Sequence, residues 1–94
     1  MERELCLQLL RSGTSVGANI EEGIGGASRK DFINKLQIAY KEARETKYWL
    51  RLLHGSDLLE ENIAMSFLSD CEEILRILGS IIKATKGNET IPNS

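Results

Sequence analysis

An all-α fold follows from three features of the sequence. The stretch from Ser28 to Leu53 contains neither Gly nor Pro, and Phe32, Leu36, Ala39, Ala43, Thr46, Leu50 and Leu53 recur along it in steps of four and three. That spacing holds a seam on one side of an α-helix. The single Pro stands at position 92, clear of every candidate helix interior. Nowhere do β-branched and aromatic residues alternate over the five or six positions of a strand. The expected architecture is an antiparallel up-down bundle of three long helices, over residues 2–22, 28–54 and 61–86. These form one domain, 1–87, followed by a flexible tail, 88–94.

In the first segment Leu5, Leu9, Val16 and Ile20 lie on one stripe, with Ser12 filling the gap. Gly13 and Gly17 stand in its interior, each costing about 1 kcal/mol relative to Ala in a helix. Their spacing puts both on one face, where a missing side chain lets another backbone come close, so both are candidates for helix close-packing. Gly17→Leu is then expected to disrupt that contact by several kcal/mol. The alternative is a helix ending near Ser12, with a turn over Ser12 to Ser15. Ile24-Gly25-Gly26-Ala27 closes the segment, Gly supplying the left-handed conformation of a helix C-cap. A link this short makes the first two helices antiparallel neighbours.

Ser28, with Asp31 three residues on, is a variant of the capping box at the start of the second helix. Gly55 is the expected residue just past its end. Glu60, Glu61 and Asn62 suit the positive end of a third helix. There Phe67, Cys71, Ile74, Leu78 and Ile81 form a second four-three seam, with Leu68, Leu75 and Ile82 beside it. Lys83 and Lys86 complement the dipole at its far end.

The 94 residues allow one domain, and 41% apolar with 28% charged residues suits a helical globule. A formal net charge of −2 argues against a domain devoted to coating nucleic acid. No apolar run reaches the roughly 18 residues of a membrane span, and Glu2 and Glu4 interrupt any signal-peptide pattern. A cytoplasmic protein with no membrane contact is expected. Cys6 and Cys71 show no CxxC spacing and fall among apolar helix positions, as buried structural thiols do.

Enzyme chemistry finds no footing. His54 stands alone at a helix end, so neither a zinc set nor a nucleophile–base pair with Ser12, Thr14 or Ser15 can be assembled. Glu42 and Glu45 lie on one face and with Glu21 or Glu22 could imitate a carboxylate metal cluster, but the Glu-x-x-His of bundle metal sites is missing. Ion pairs with Lys41, Arg44 or Lys47 are the better reading of these carboxylates. The glycines at 23, 25 and 26 make no phosphate-binding pattern. No catalytic, cofactor or metal site is expected.

Two surfaces remain. The apolar faces are too wide for three helices to cover, and leaving them wet forfeits about 25 cal/mol per Å². Ile38, Trp49, Leu52, Leu68, Leu75 and Ile82 are therefore expected at an oligomer or helix interface. The second surface is a polar stripe on the long helix, Lys30, Asn34, Gln37, Lys41, Arg44, Tyr48 and Arg51, with four cations and no acid. In an oligomer Lys30, Lys41, Arg44 and Arg51 would ring nucleic-acid phosphates, Tyr48 offering a face for stacking. A solvated face, its cations paired to Glu42, Glu45 or another chain's acids, is the plainer alternative.

The block Leu9-Leu10-Arg11-Ser12-Gly13-Thr14-Ser15-Val16-Gly17-Ala18-Asn19-Ile20-Glu21-Glu22, followed by Ser28-x-x-Asp31-Phe32 and by Ile38-Ala39-x-x-Glu42-Ala43-x-Glu45-Thr46-x-x-Trp49-Leu50, resembles the four-helix-bundle intervening-sequence proteins of bacteria. Some of these are encoded within large-subunit ribosomal RNA genes, and the family is also called ribosomal-protein-like. The resemblance covers about residues 5–85. It implies a helical bundle, a homo-pentamer and a largely uncharacterised function. In fold such proteins are similar to the accessory variability protein of diversity-generating retroelements, a pentameric barrel that binds nucleic acid and a reverse transcriptase. The family pattern has a further amphipathic helix of some 25 residues before this block. The three helices here then correspond to the last three of four, with an apolar groove left open along the first and third. The leading expectation is a non-enzymatic oligomeric scaffold or interaction module. The alternative is a nucleic-acid-binding accessory factor using the basic stripe.

Overall fold

The computed structural model describes residues 2–26 and 28–90. They form three helices, α1 (Glu2–Ile24), α2 (Arg29–Gly55) and α3 (Glu61–Thr90), as the periodicity predicts. α1 runs unbroken through Gly13 and Gly17, which settles the choice between helix and turn. Ser12, Thr14 and Asn19 direct side-chain hydrogen bonds to carbonyls one turn back, which absorbs their polar groups within the helix.

Contacts between helices fix the directions. Glu22 pairs with Lys35 at 2.8 Å, and Ser12 meets Thr46 at 3.0 Å. Across the other boundary Lys47 pairs with Glu72 at 3.1 Å, and the Tyr40 ring lies over Gly79. In both sets one number rises as the other falls, so α2 is antiparallel to each neighbour. α1 and α3 both pack on α2, and among the described residues no Cα of α1 comes within 8 Å of α3. The three helices therefore form an open layer rather than a closed triangle. The extents are 49 × 24 × 17 Å, with a radius of gyration of 15.3 Å. A compact chain of this length has about 12 Å.

Along α2 the buried positions are Ile33, Leu36, Ala39, Ala43, Thr46, Leu50 and Leu53. Val16 from α1 and Leu78 from α3 join Leu36, Ala39 and Ala43 in one cluster, edged by Ile20, Phe32, Tyr40, Leu75 and Ile82. Ala39 and Ala43, small and sealed, let both outer helices close onto α2. The core contains one polar pair: Thr46 donates to the carbonyl of Glu42 and meets Ser12 Oγ, which itself donates to the Leu9 carbonyl. Both hydroxyls are thus satisfied where an unpaired one would cost about 1–3 kcal/mol.

The helix ends depart from the expected glycine caps. Ser28 caps α2 as predicted, accepting from the Asp31 N–H at 3.1 Å. Among the described residues, however, no glycine adopts positive φ. α1 leaves its helix through ordinary bonds, Gly25 N–H to Glu21 and Gly26 N–H to Gly23. Space at Gly26 is tight, since an added Cβ would sit 3.2 Å from the Gly23 oxygen and 3.3 Å from the Asp31 Cβ. At the end of α2, Gly55 is still helical and Asp57 takes the left-handed turn at φ 60°. Leu58 N–H reaches the Leu53 carbonyl and Asp57 N–H that of His54, the paired bonds of a Schellman motif. Asp reaches this region at modest cost because its short polar side chain can bond locally. α3 passes Lys86 and Gly87 and continues to Thr90, beyond the expected end. Residues 91–94 of the expected tail lie outside the described residues.

Candidate functional site

An open layer leaves two grooves, one on each side of the α2–α3 contact. The first lies between α1 and α3. Its floor is Thr46 and Leu50 of α2, and its walls are Leu9, Leu10, Gly13 and Thr14 against Phe67, Asp70, Cys71 and Ile74. It encloses about 310 Å³ and presents carbon almost throughout. Leu10 at the rim is 62% exposed and Phe67 opposite is 48% exposed.

The expected single seam of α3 is split by this geometry. Ala64, Cys71 and Leu78 turn to α2 and are buried, whereas Phe67, Ile74 and Ile81 face outward. An outer helix of an open layer has one neighbour and can bury only one stripe against it. Together with Ile63 and Ile77, the outward residues make a second four-three series, Ile63, Phe67, Asp70, Ile74, Ile77, Ile81, in which Asp70 alone is polar. This is the a/d spacing of a helix that packs against another helix.

The residues expected at an interface divide. Leu75 and Ile82 pack on the core cluster, and Leu68 is half-buried, so these serve the α2–α3 boundary within the chain. Ile38 and Leu52 are exposed on the far side of α2. Trp49 is half-buried, its ring set edge-on to Tyr48 at 5.0 Å, with Nε1 buried and without an acceptor.

The glycine pair makes no close helix contact inside the chain. Within the chain, a Cβ at Gly13 or Gly17 meets nothing within 4 Å, because α1 turns that face away from α2, Gly13 lining the groove. Close approach occurs instead at Gly23, where a Cβ would stand 3.1 Å from Lys35 Cβ. The loss of several kcal/mol expected for Gly17→Leu has no basis inside one chain. At concentrations that keep the chain monomeric, Gly17→Ala should raise the unfolding free energy by about 0.5–1 kcal/mol, the helix preference of Ala over Gly. Urea melts of the two proteins measure it.

The thiols also separate. Cys71 is buried beneath the groove, but Cys6 is exposed, contrary to the expectation of two buried thiols, because its side of α1 has no neighbour. Burial raises the Cys71 thiol above its ordinary pKa, the carboxylates of Asp70 and Glu72 raise it further, and Lys47 opposes them. A raised pKa means less thiolate at a given pH, and thiolate is the reacting form. With iodoacetamide at pH 8, Cys6 should alkylate at least tenfold faster than Cys71, read by mass spectrometry of the peptides.

The second groove runs along the other side, between α2 and α3. Tyr40, Arg44, Lys47, Tyr48, Arg51 and Leu75 line a hollow of about 340 Å³. Three residues of the predicted stripe, Arg44, Tyr48 and Arg51, are brought together here. Lys30 and Lys41 are exposed and do not line it. Tyr40 and Lys47 were missed because the stripe was read on α2 alone, and only the α3 wall reveals their side as concave. The expected pairing of Glu42 and Glu45 with Lys41, Arg44 or Lys47 is not made among the described residues. Lys47 instead bridges to Glu72, and Glu22 to Lys35. Among the described residues no group of three or more His, Cys, Asp or Glu side chains gathers as metal ligands do.

The model of the 23S rRNA-intervening sequence protein family matches residues 1–80. The chain belongs to this family. Among solved structures, it is similar to a protein of unknown function from the S23 ribosomal protein family of Bacteroides thetaiotaomicron. The two share 52% identity over 84% of this chain and 73% of that one, with a TM-score of 0.81. No curated protein matches the chain. In this intervening-sequence protein no helix is long and apolar enough, among the described residues, to cross a membrane.

Proposed function

We propose that this intervening-sequence protein is a non-enzymatic assembly module, whose α1–α3 groove and the outward seam of α3 pack against further copies of the chain. The observation that carries this reading is the exposed series Ile63, Phe67, Ile74, Ile77, Ile81 beside a groove walled by carbon. Monomeric proteins seldom leave so continuous an apolar face in water. A four-three seam is complementary to another such seam, and every copy supplies one. Gly13 at the groove wall leaves room for an incoming helix to come close. A cytoplasmic setting fits this reading, because both thiols are free and such compartments keep them reduced. The homo-pentamer implied by the family resemblance is one closed ring that such a heterologous contact can build.

Light scattering coupled to gel filtration tests the proposal. At micromolar concentration the mass should be an integral multiple, two or greater, of 10.5 kDa. A well-folded monomer up to about 100 µM would remove it.

A further inference from the structure

The α2–α3 groove has a chemistry that assembly through the other face does not use. Arg44, Lys47 and Arg51 converge there with the rings of Tyr40 and Tyr48. Lys47 is held by Glu72, whereas Arg44 and Arg51 have no ion-pair partner among the described residues. Tyr48 is 57% exposed, and the hollow continues past Tyr40 to Gln37 and Lys83. Glu72 is spent on Lys47, so the cations are not balanced across the cleft. In a chain whose formal charge is −2, a cationic hollow is a local departure from the whole.

We infer that this cleft binds a single-stranded nucleic acid, its phosphates on Arg44 and Arg51 and a base stacked on Tyr48. Arg44 and Arg51 are two helical turns apart, about 10 Å along α2, which suits phosphates separated by one intervening nucleotide. Tyr48 lies between them, where that nucleotide's base would fall. Stacking on an aromatic ring is indifferent to base identity and requires an unpaired base. The axes of packed helices lie only about 8–10 Å apart, so the furrow along their contact is narrow: a strand lies along it while a duplex meets only its rims. An acidic polypeptide would satisfy the arginines but leave the tyrosine face without a planar partner.

Fluorescence anisotropy with a labelled 20-nucleotide oligouridine, the matching oligothymidine, a duplex and poly-glutamate tests the inference at 25–200 mM salt. Oligouridine or oligothymidine, or both, should bind at least tenfold more tightly than duplex or poly-glutamate; preference for one sugar identifies the source. Arg44→Gln/Arg51→Gln should make the slope of log K against log salt shallower by about 1.4, the share of two phosphates on a single strand. Tyr48→Ala should weaken binding roughly 5- to 100-fold with the slope unchanged, as loss of one stacked base does. Arg11→Gln, on α1 and outside the cleft lining, should leave affinity within twofold. All these side chains are exposed, so the variants keep the fold. No binding of either single strand at 25 mM salt would overturn the inference, as would slopes and affinities that the cleft variants do not change. Equal affinity for duplex or poly-glutamate would do so too. The face is separate from the α1–α3 groove, so loss of binding with assembly intact, or the reverse, tells the two proposals apart.

Discussion

Phe67→Glu/Ile74→Glu should convert the assembled protein to monomers of 10.5 kDa while the far-ultraviolet dichroism stays helical. Both side chains point into water in the isolated chain, at 48% and 37% exposure, so a carboxylate there costs the monomer little. In an assembly the same positions lie in an apolar seam. Burying an unpaired carboxylate is costly enough that the contact opens instead. With two such residues in each copy, the association constant should fall by at least 10³-fold. Gly13→Phe offers an independent route to the same end. A Cβ there meets nothing within 4 Å in the chain and Gly13 lines the groove, so the added ring occupies the groove and not the core. Gel filtration with light scattering reads both variants. An unchanged mass in either would place the copy-to-copy contact elsewhere.

The largest stability effect is expected at Leu50. It forms the floor of the groove at only 2% exposure and is sealed by residues from both outer helices. Leu50→Ala should lower the unfolding free energy by about 2–5 kcal/mol, the lost transfer energy plus the cavity left behind. For a domain of this size each kcal/mol is worth about 4–8 °C in Tm. Since a typical domain holds only about 5–15 kcal/mol in total, the variant sits near the edge of folding. Ile38→Ala, on the far side of α2 at 41% exposure, serves as the comparison and should cost less than about 1 kcal/mol. Thermal melts followed by dichroism decide it. Equal losses at the two positions would mean that the floor of the groove is not part of the core.

Most of the long helix was legible in the sequence, although at its start Ile33 is buried and the expected Phe32 only half-buried. Its seam from Leu36 to Leu53 is the buried face, because residues three and four apart share a side whatever packs against them. The cap at Ser28 was legible for a similar reason: it is a local bond between a hydroxyl and an N–H three residues on. What was hidden depends on which helices touch. The α3 seam reads as one stripe in sequence, and only the open layer divides Cys71 and Leu78 from Phe67 and Ile74. Gly13 and Gly17 look like a packing pair by spacing, yet neither meets α2 or any other part of the chain within 4 Å. Gly55 looked like the C-cap because glycine is the commonest left-handed residue, but the Schellman bonds form two residues later around Asp57. For the basic cleft, Arg44, Tyr48 and Arg51 were visible on one helix. Tyr40, Lys47 and Leu75 joined them only once α3 supplied the opposite wall.

The groove between α1 and α3 as a contact between copies is the central claim, and concentration-dependent hydroxyl-radical footprinting tests it most directly. Leu10 and Phe67 should lose most of their labelling as the protein is raised from monomer to assembly. Met65, which lines a hollow with Lys47 and Arg51, and Tyr48, which lines the cleft beside it, should label equally at every concentration. Labelling of Phe67 that does not change with concentration, or protection confined to Met65 and Tyr48, would contradict the account.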